Sequence, residues 1–321
     1  MNNLAELINA ANELYKTEKT NEAISLFRYA LNLDPLNREV HIKLAYALCR
    51  YGNYSDGADE FLWIWMQQFG NQKDVLKDYE NLKDKIILLS CDAGLGDSIM
   101  FARYSKLLKN KVKKVILQVQ KPLVRLFVNS EIADDVIGES AKYIEHDIRL
   151  PFHNLMSATG YNPASQEWDS NEYLFSKKEE AEMLYSLIPR KGNRKVGICW
   201  RGNPNLPDDN NRSISLEEIK RFTKPDDVLI SLIPEDGMGI KNDVWRFSFK
   251  DIAETAALIL NLDYIITVDT MICHLCGALG KPTLLLNRYN GCWRWGEGYE
   301  NSKWYSSVKI YRQNKDFSWG D

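Results

Sequence analysis

Three turns in the sequence carry residue types that bind negatively charged groups or move protons. The first, Asp269-Thr270-Met271, follows Tyr264 to Val268, an apolar run typical of a buried parallel strand, and opens a predicted helix at Met271 to Leu279. Backbone N–H groups at a helix start lack partners and carry partial positive charge, so this turn suits a phosphate or a sugar. The alternative is that Asp269 or Thr270 only caps the helix.

The second turn follows another predicted strand, Lys195 to Trp200, and contains two arginines. Arg201 and Arg212 flank a glycine- and asparagine-rich loop that includes Asn203. A guanidinium group gives a phosphate two parallel hydrogen bonds, so the pair suits a diphosphate, although either arginine alone could be an ordinary surface residue. Ligands of open α/β sheets bind beside the carboxyl ends of strands, which is where both turns lie.

The third turn, Gly94-Leu95-Gly96-Asp97, lies between a predicted strand at Lys85 to Ser90 and a predicted helix at Ser98 to Leu108. This order is that of a phosphate-binding loop, but the spacing differs from G-x-G-x-x-G and does not favour a nicotinamide site. The glycines allow a ligand or another backbone to approach closely. Asp97 is either a helix cap or a general base that accepts a proton from an attacking hydroxyl.

Length and composition restrict the class of protein. The 321 residues predict two domains with a small appendage, and a net charge of −3 gives no reason to expect nucleic acid as a partner. No window approaches the roughly 20 apolar residues of a membrane span, and the amino terminus lacks a signal-peptide pattern. We therefore predict a cytoplasmic protein with reduced cysteines. Cys273 and Cys276 have C-x-x-C spacing without a second ligand pair, which favours buried thiols over a zinc or redox site.

Residues 4–70 contain an internal repeat with a period of 34 residues. Ala11 corresponds to Ala45, for example, and Phe27 corresponds to Phe61. This is the period of the tetratricopeptide helix-turn-helix. Each repeat buries its apolar face only against a neighbour, so the exposed end must pack on the following domain or on another copy of the chain. The apolar residues of the last helix suit this docking: Phe61, Trp63, Ile64, Trp65, Met66 and Phe69. The repeats are either a partner-binding arm or a structural brace or dimer surface.

The rest of the chain alternates predicted strands and helices, as doubly wound α/β domains do. We predict helical repeats at 1–72, an amino-terminal Rossmann-like domain at 84–176 and a carboxyl-terminal one at 195–321. A charged helix at Lys177 to Arg190 is the predicted linker between the last two.

Two further segments are less clear from the sequence: no helix or strand is predicted for the first, and the second has two interpretations. Tyr143 to His153 is predicted to run into a loop at Pro151, with His146 and His153 as ordinary residues. The aromatic loop at Asn287 to Gly296 either stacks on sugar or base rings or fills a hydrophobic gap.

Several short motifs occur together in an order that resembles one enzyme family. They are Gly94-Leu-Gly-Asp97, Phe101, Arg103-Tyr104, Trp200-Arg-Gly-Asn-Pro204, Arg212-Ser-Ile214, Asp251, Thr255-Ala-Ala-Leu-Ile259, Val268-Asp-Thr270, His274-Leu275, Gly277-Ala-Leu-Gly-Lys-Pro282, Trp304-Tyr305 and Arg312-Gln313. The chain resembles the bacterial tetratricopeptide-repeat glycosyltransferases related to the ADP-heptose:lipopolysaccharide heptosyltransferases and, more distantly, the protein O-GlcNAc transferases. The similarity covers most of the chain and is strongest in residues 195–313.

This resemblance implies a GT-B fold, in which two Rossmann-like domains face each other and the carboxyl-terminal one holds a nucleotide-sugar donor. It implies no metal and no other cofactor. Asp97 would be the base, and the donor phosphates would meet Arg201, Arg212 and the backbone at Thr270 and Met271. Asp269 would hold sugar hydroxyls, with His274 nearby.

The expected function is that of an inverting, metal-independent glycosyltransferase that acts on a hydroxyl of a glycan, lipid or protein. The alternative is a non-catalytic scaffold, with a repeat arm for a protein partner or self-association on a degenerate transferase core. A nicotinamide dehydrogenase is a third hypothesis.

Overall fold

The computed structural model describes residues 2–64, 82–165, 169–190, 194–205, 209–234 and 238–320. Four helices come first, and two parallel sheets with flanking helices follow. Within this described part of the chain, no helix has the length and apolar character needed to cross a membrane.

The amino-terminal helices form two consecutive pairs, as the 34-residue period predicts. They are α1 (Asn2–Lys16), α2 (Thr20–Leu33), α3 (Arg38–Tyr51) and α4 (Tyr54–Phe61), and each packs on the next. A turn at Gly52-Asn53 joins α3 to α4. Gly52 has φ +98°, and a Cβ there would lie 2.5 Å from the Tyr299 hydroxyl, so the turn requires glycine. Trp65, Met66 and Phe69, predicted for the docking helix, lie outside the described residues.

The second helix pair packs on the α/β part of the chain, which confirms the predicted docking on the following domain. Cys49, Tyr54 and Phe61 belong to the same apolar core as the strands of both sheets. A separate small core lies between the first pair and α3, and Phe27 and Leu44 are buried in it. The helical segment is therefore attached through its second repeat.

The first sheet is parallel and has the strand order β3-β2-β1-β4. Its strands are β1 (Ile86–Ser90), β2 (Lys114–Val119), β3 (Asp135–Gly138) and β4 (Ile148–Pro151), and its helices are α5 (Leu95–Lys109), α6 (Lys121–Asn129) and α7 (Leu155–Thr159). The segment at Tyr143 to His153 was predicted to run into a loop at Pro151, but Pro151 belongs to β4. Pro151 is the last residue of this edge strand and pairs with Ser90, so its missing N–H falls where the ladder ends.

The second sheet has the order β11-β10-β9-β5-β6-β8-β7, and all its neighbours are parallel except β7 and β8. Its strands are β5 (Lys195–Cys199), β6 (Val228–Ser231), β7 (Gly239–Lys241), β8 (Val244–Arg246), β9 (Tyr264–Val268), β10 (Thr283–Asn287) and β11 (Val308–Arg312). Its helices are α8 (Lys178–Tyr185), α9 (Asp209–Arg212), α10 (Leu216–Lys220), α11 (Ile252–Leu260) and α12 (Met271–Ala278). The β7–β8 hairpin was not predicted. Its turn residues, Asn242 and Asp243, have φ of +53° and +60°, which is the signature of a tight hairpin turn.

Each sheet reverses its direction of winding beside one central strand, and this reversal positions a cleft. The chain runs from β5 to β6 on one side and later returns to β9 on the other. In the first sheet, β1 lies between β2 and β4 in the same way. Such reversals leave a crevice at the carboxyl ends of the strands, where ligands bind. Helices α5 and α12 contact each other and join the two crevices.

Helix α12 packs so closely on Tyr305 that Gly277 cannot carry a side chain. A Cβ at Gly277 would lie 2.3 Å from Tyr305 Cγ, and the Tyr305 ring is fully buried. Gly277→Ala is therefore expected to lower the free energy of unfolding by about 1–3 kcal/mol, measured by urea denaturation. In the control Gly138→Ala, the new Cβ meets no atom within 4 Å. Equal midpoints for the two variants would contradict this tight packing.

Candidate functional site

A cleft of about 880 Å³ lies at the carboxyl ends of the two sheets. It is lined from the first sheet by the start of α5 and from the second by the turns after β5, β6, β9 and β10. All ten residues predicted from the sequence line it: Gly94, Gly96, Asp97, Arg201, Asn203, Arg212, Asp269, Thr270, Met271 and His274. Asp209, Arg288, Cys292 and Arg294 also line it but were not predicted.

The start of α12 forms one wall of the cleft. Thr270 caps this helix, because its hydroxyl accepts a hydrogen bond from the Ile272 N–H at 3.3 Å. The capping alternative is thus correct for Thr270, which also lines the cleft. Asp269 lies one residue before the cap, and its backbone carbonyl accepts a hydrogen bond from Arg212.

The start of α5 forms the facing wall. Asp97 accepts a hydrogen bond from the Gly94 N–H at 3.3 Å through Oδ2, so it does act as a cap. Gly96 lies against α12: a Cβ there would be 2.8 Å from His274 Cδ2 and 3.6 Å from Met271 Cα. The glycine therefore lets two helix starts meet at one cleft. Both starts contribute partial positive charge.

Arg212 is held in place by neighbouring polar groups. Its Nε donates to Asp209 Oδ1 at 2.8 Å, and its Nη1 donates to the Asp269 carbonyl at 3.0 Å. The second oxygen of Asp209 accepts from the Ser213 hydroxyl at 2.8 Å. Arg201, in contrast, is exposed at the rim. On the β5 side the cleft thus has one guanidinium group held by hydrogen bonds, Arg212, and one that is exposed, Arg201.

Arg294 is the main functional candidate that sequence reasoning missed. It forms an ion pair with Asp97 Oδ1, and the two side chains are only 16% and 13% exposed. Burial raises the pKa of Asp97, but the charge and hydrogen bond of Arg294, together with His153 and His274, outweigh burial and hold that pKa below its usual value. Burial also opposes the charge of Arg294, yet Asp97 raises the Arg294 pKa above its ordinary range. Both groups are therefore charged at neutral pH.

Two histidines lie close to this ion pair. His274 Nδ1 is 2.9 Å from the Tyr305 hydroxyl, and its ring stacks on Trp295 with centroids 5.0 Å apart. Burial, reinforced by Arg294, lowers the pKa of His274 to about 3, so this imidazole is neutral at pH 7. His153, predicted to be an ordinary surface or core residue, is buried, and its Nδ1 lies 3.0 Å from Asp92 Oδ2.

The aromatic loop at Asn287 to Gly296 fills a hydrophobic gap and does not present rings to the cleft. Trp293 and Trp295 are buried, and Trp293 packs on Phe61 of α4 with ring centroids 5.3 Å apart. The residues of this loop that reach the cleft are polar or thiol-bearing: Arg288, Cys292 and Arg294. The stacking interpretation of the aromatics is therefore wrong, and the loop's contribution to the site is positive charge.

Comparison with known proteins identifies a shared fold. No family model and no curated protein sequence matches the chain. A glycosyl transferase of family 9 from Veillonella parvula superposes with a TM-score of 0.53 at 12% identity, covering 73% of this chain and 87% of that one. The ADP-heptose lipopolysaccharide heptosyltransferase II of E. coli superposes with a TM-score of 0.51 at 10% identity, covering 72% and 92%. The predicted pair of parallel α/β sheets is thus confirmed, and the chain shares the fold of these two glycosyltransferases.

Proposed function

We propose that the protein is an inverting, metal-independent glycosyltransferase of GT-B type that uses a nucleotide-sugar donor and a hydroxyl acceptor. The observation that carries this proposal is the charge distribution in one cleft. Arg201, Arg212, Arg288 and Arg294 surround a space that also receives two helix starts, and the carboxylate of Asp97 lies among them on the side of the first sheet. A diphosphate leaving group and a hydroxyl that must lose a proton require these two kinds of group.

In the proposed reaction, the acceptor hydroxyl gives its proton to Asp97 while its oxygen attacks the anomeric carbon. The bond from that carbon to the diphosphate breaks, and its electron pair goes to the departing oxygen. Attack on the face opposite the leaving group inverts the anomeric configuration. Arg212, Arg201 and the start of α12 stabilise the negative charge that develops, which is the role a metal ion would otherwise fill.

The second sheet supplies the proposed donor subsite. Arg212 lies beside the Asp269 turn, so the diphosphate would lie between β5 and β9. Asp269 would then accept hydrogen bonds from sugar hydroxyls, with the neutral His274 nearby. Leu232, Ile233 and Pro234 give the wall after β6 an apolar surface on which a nucleobase could pack.

We assign the helical segment to the tetratricopeptide class, acting as a brace in the cytoplasm. The second helices of the two pairs begin at Thr20 and Tyr54, 34 positions apart. A brace agrees with the docking of α3 and α4 on the α/β core.

A thermal-shift screen tests the function directly. UDP-, GDP-, ADP- and dTDP-sugars are added in turn, because a ligand that binds only the folded protein raises the melting temperature. We expect one donor class to give a clear shift. If none does, the scaffold hypothesis is favoured, and a shift with NADH alone would favour the dehydrogenase.

Arg212→Ala is expected to weaken binding of the donor diphosphate by roughly 10- to 100-fold, because a charge-assisted hydrogen bond contributes about 1.5–3 kcal/mol. Titration calorimetry measures the dissociation constant. The control Arg221→Ala removes a guanidinium that bonds to the Gly320 carbonyl outside the cleft. If the dissociation constant is the same in Arg212→Ala as in wild type, Arg212 does not bind the donor diphosphate.

A further inference from the structure

Arg294 stands between two negatively charged groups that would compete for it once a donor is bound. In the described structure it is paired with Asp97. It also lines the cleft that would receive the donor diphosphate, and Asp269 at the start of α12 is close enough to influence its pKa. One guanidinium group cannot make full bidentate hydrogen bonds to a carboxylate and to a diphosphate at the same time.

The ion pair also limits what Asp97 can do. A carboxylate held by a guanidinium is a weaker proton acceptor than a free one, since proton transfer would leave the arginine charge unpaired. Besides Arg294, the groups that influence Asp97 are His153 and His274, and the Gly94 N–H bonds to its second oxygen. Release of Arg294 is thus the change that would most increase the basicity of Asp97.

Besides Asp97, the Arg294 guanidinium contacts two uncharged side chains, and the loop that carries it is anchored to the helical segment. The guanidinium lies over the Trp293 ring, 4.7 Å from the centroid, and Nη1 contacts Cys292 Sγ at 2.7 Å. The backbone is held from behind, because the Glu297 N–H donates to the Arg50 carbonyl of α3 at 3.1 Å. Neither the aromatic ring nor the thiol carries a formal charge, so the ion pair with Asp97 is the contact that a diphosphate would have to replace.

We propose that Arg294 is a latch: it holds Asp97 while the cleft lacks a donor and moves to the diphosphate when a donor binds, which frees Asp97 to accept the acceptor proton. The proposal rests on the proposed function and adds to it a coupling between donor binding and base activation. No covalent bond changes when the latch moves. After transfer, the proton is on Asp97 and Arg294 balances the released diphosphate. Departure of that product lets the pair re-form and the proton leave.

A double-mutant cycle on binding tests the latch without measuring activity. The probes are inorganic pyrophosphate, ADP, UDP, GDP and dTDP, titrated by calorimetry into wild type, Asp97→Asn, Arg294→Met and the double variant. Asp97→Asn removes both the competition for Arg294 and a repelling charge. In the Arg294→Met background, the same change removes the repulsion alone. We therefore expect Asp97→Asn to tighten binding at least about fivefold more when Arg294 is present, a size typical of coupling between sites.

Equal gains in the two backgrounds would overturn the latch while leaving the proposed function intact. Failure of all five probes to bind wild type would overturn the proposed function, and the latch with it. If Arg294→Met does not fold, a crystal structure of the wild type with the tightest-binding probe decides the question. The latch requires Arg294 to contact the diphosphate and to be separated from Asp97; an intact pair beside a bound diphosphate refutes it.

Discussion

Replacing Asp97 by Asn is expected to slow sugar transfer by roughly 10²- to 10⁴-fold, the usual contribution of a positioned general base. Asn keeps the size of the side chain and an oxygen that can accept from the Gly94 N–H, so the start of α5 should stay folded. It cannot take the acceptor proton. The measurement is the initial rate of transfer from whichever nucleotide sugar stabilises the wild type.

The matched control is Asp135→Asn, which removes a carboxylate at the start of β3 that pairs with Lys114 away from the cleft. It should transfer at the wild-type rate. Full turnover by Asp97→Asn would refute the base assignment, and a similar loss in both variants would indicate a general effect on folding.

The pH dependence of transfer gives a second test of the same carboxylate. A base works in its deprotonated form, so activity is lost as pH falls through the pKa of Asp97. Arg294 holds that pKa below its usual value, and removing this cation leaves burial, which raises it. Arg294→Met should therefore lose kcat/KM for the donor, which reports the donor-free enzyme, at a higher pH than wild type. His274, with a pKa of about 3, does not titrate in the neutral range. An unchanged acid limb would show that Arg294 does not control the base.

Much of the cleft could be predicted because residues that follow buried parallel strands lie at the same edge of the sheet. Asp97, Arg201 and Asp269 each follow a strongly apolar run, and parallel strands bring their carboxyl ends to one edge. The sequence alone therefore indicated which turns would converge. For Thr270 and Asp97 the geometry shows that each residue caps a helix and also lines the cleft, so capping does not exclude the roles proposed for them.

Arg294 could not be predicted, because its position depends on contacts between distant parts of the chain. Its loop follows β10, another strand of the same sheet, so a weak signal existed. The composition of the loop pointed to its aromatic rings instead. Trp293 is buried by Phe61 and Tyr46 of the helical segment, more than 200 positions earlier in the chain. That packing turns the rings inward and the arginine toward the cleft.

The helical segment therefore has a direct effect on the site, which makes Arg50 the residue to change. Its side chain is 1% exposed and donates to the Tyr15 carbonyl at 3.1 Å, to Glu18 at 3.3 Å and to Asn290 Oδ1. Arg50→Met is expected to lower the free energy of unfolding by about 3 kcal/mol, the lower end of the range for breaking a buried ion pair. The lower end applies because Glu18 and Glu297 keep some contact with water.

The control for Arg50 is Arg28→Met in the same helical segment. Arg28 pairs with Asp56 at 3.0 Å, but both side chains are more than half exposed, so its loss should cost less than about 1 kcal/mol. Urea denaturation compares the two variants. Arg50 holds Asn290 in the loop that carries Arg288 and Arg294. Arg50→Met should therefore also weaken diphosphate binding, measured at a temperature where the variant is folded. Arg28→Met should not. If the two variants are equally stable and bind equally well, the helical segment does not support the cleft.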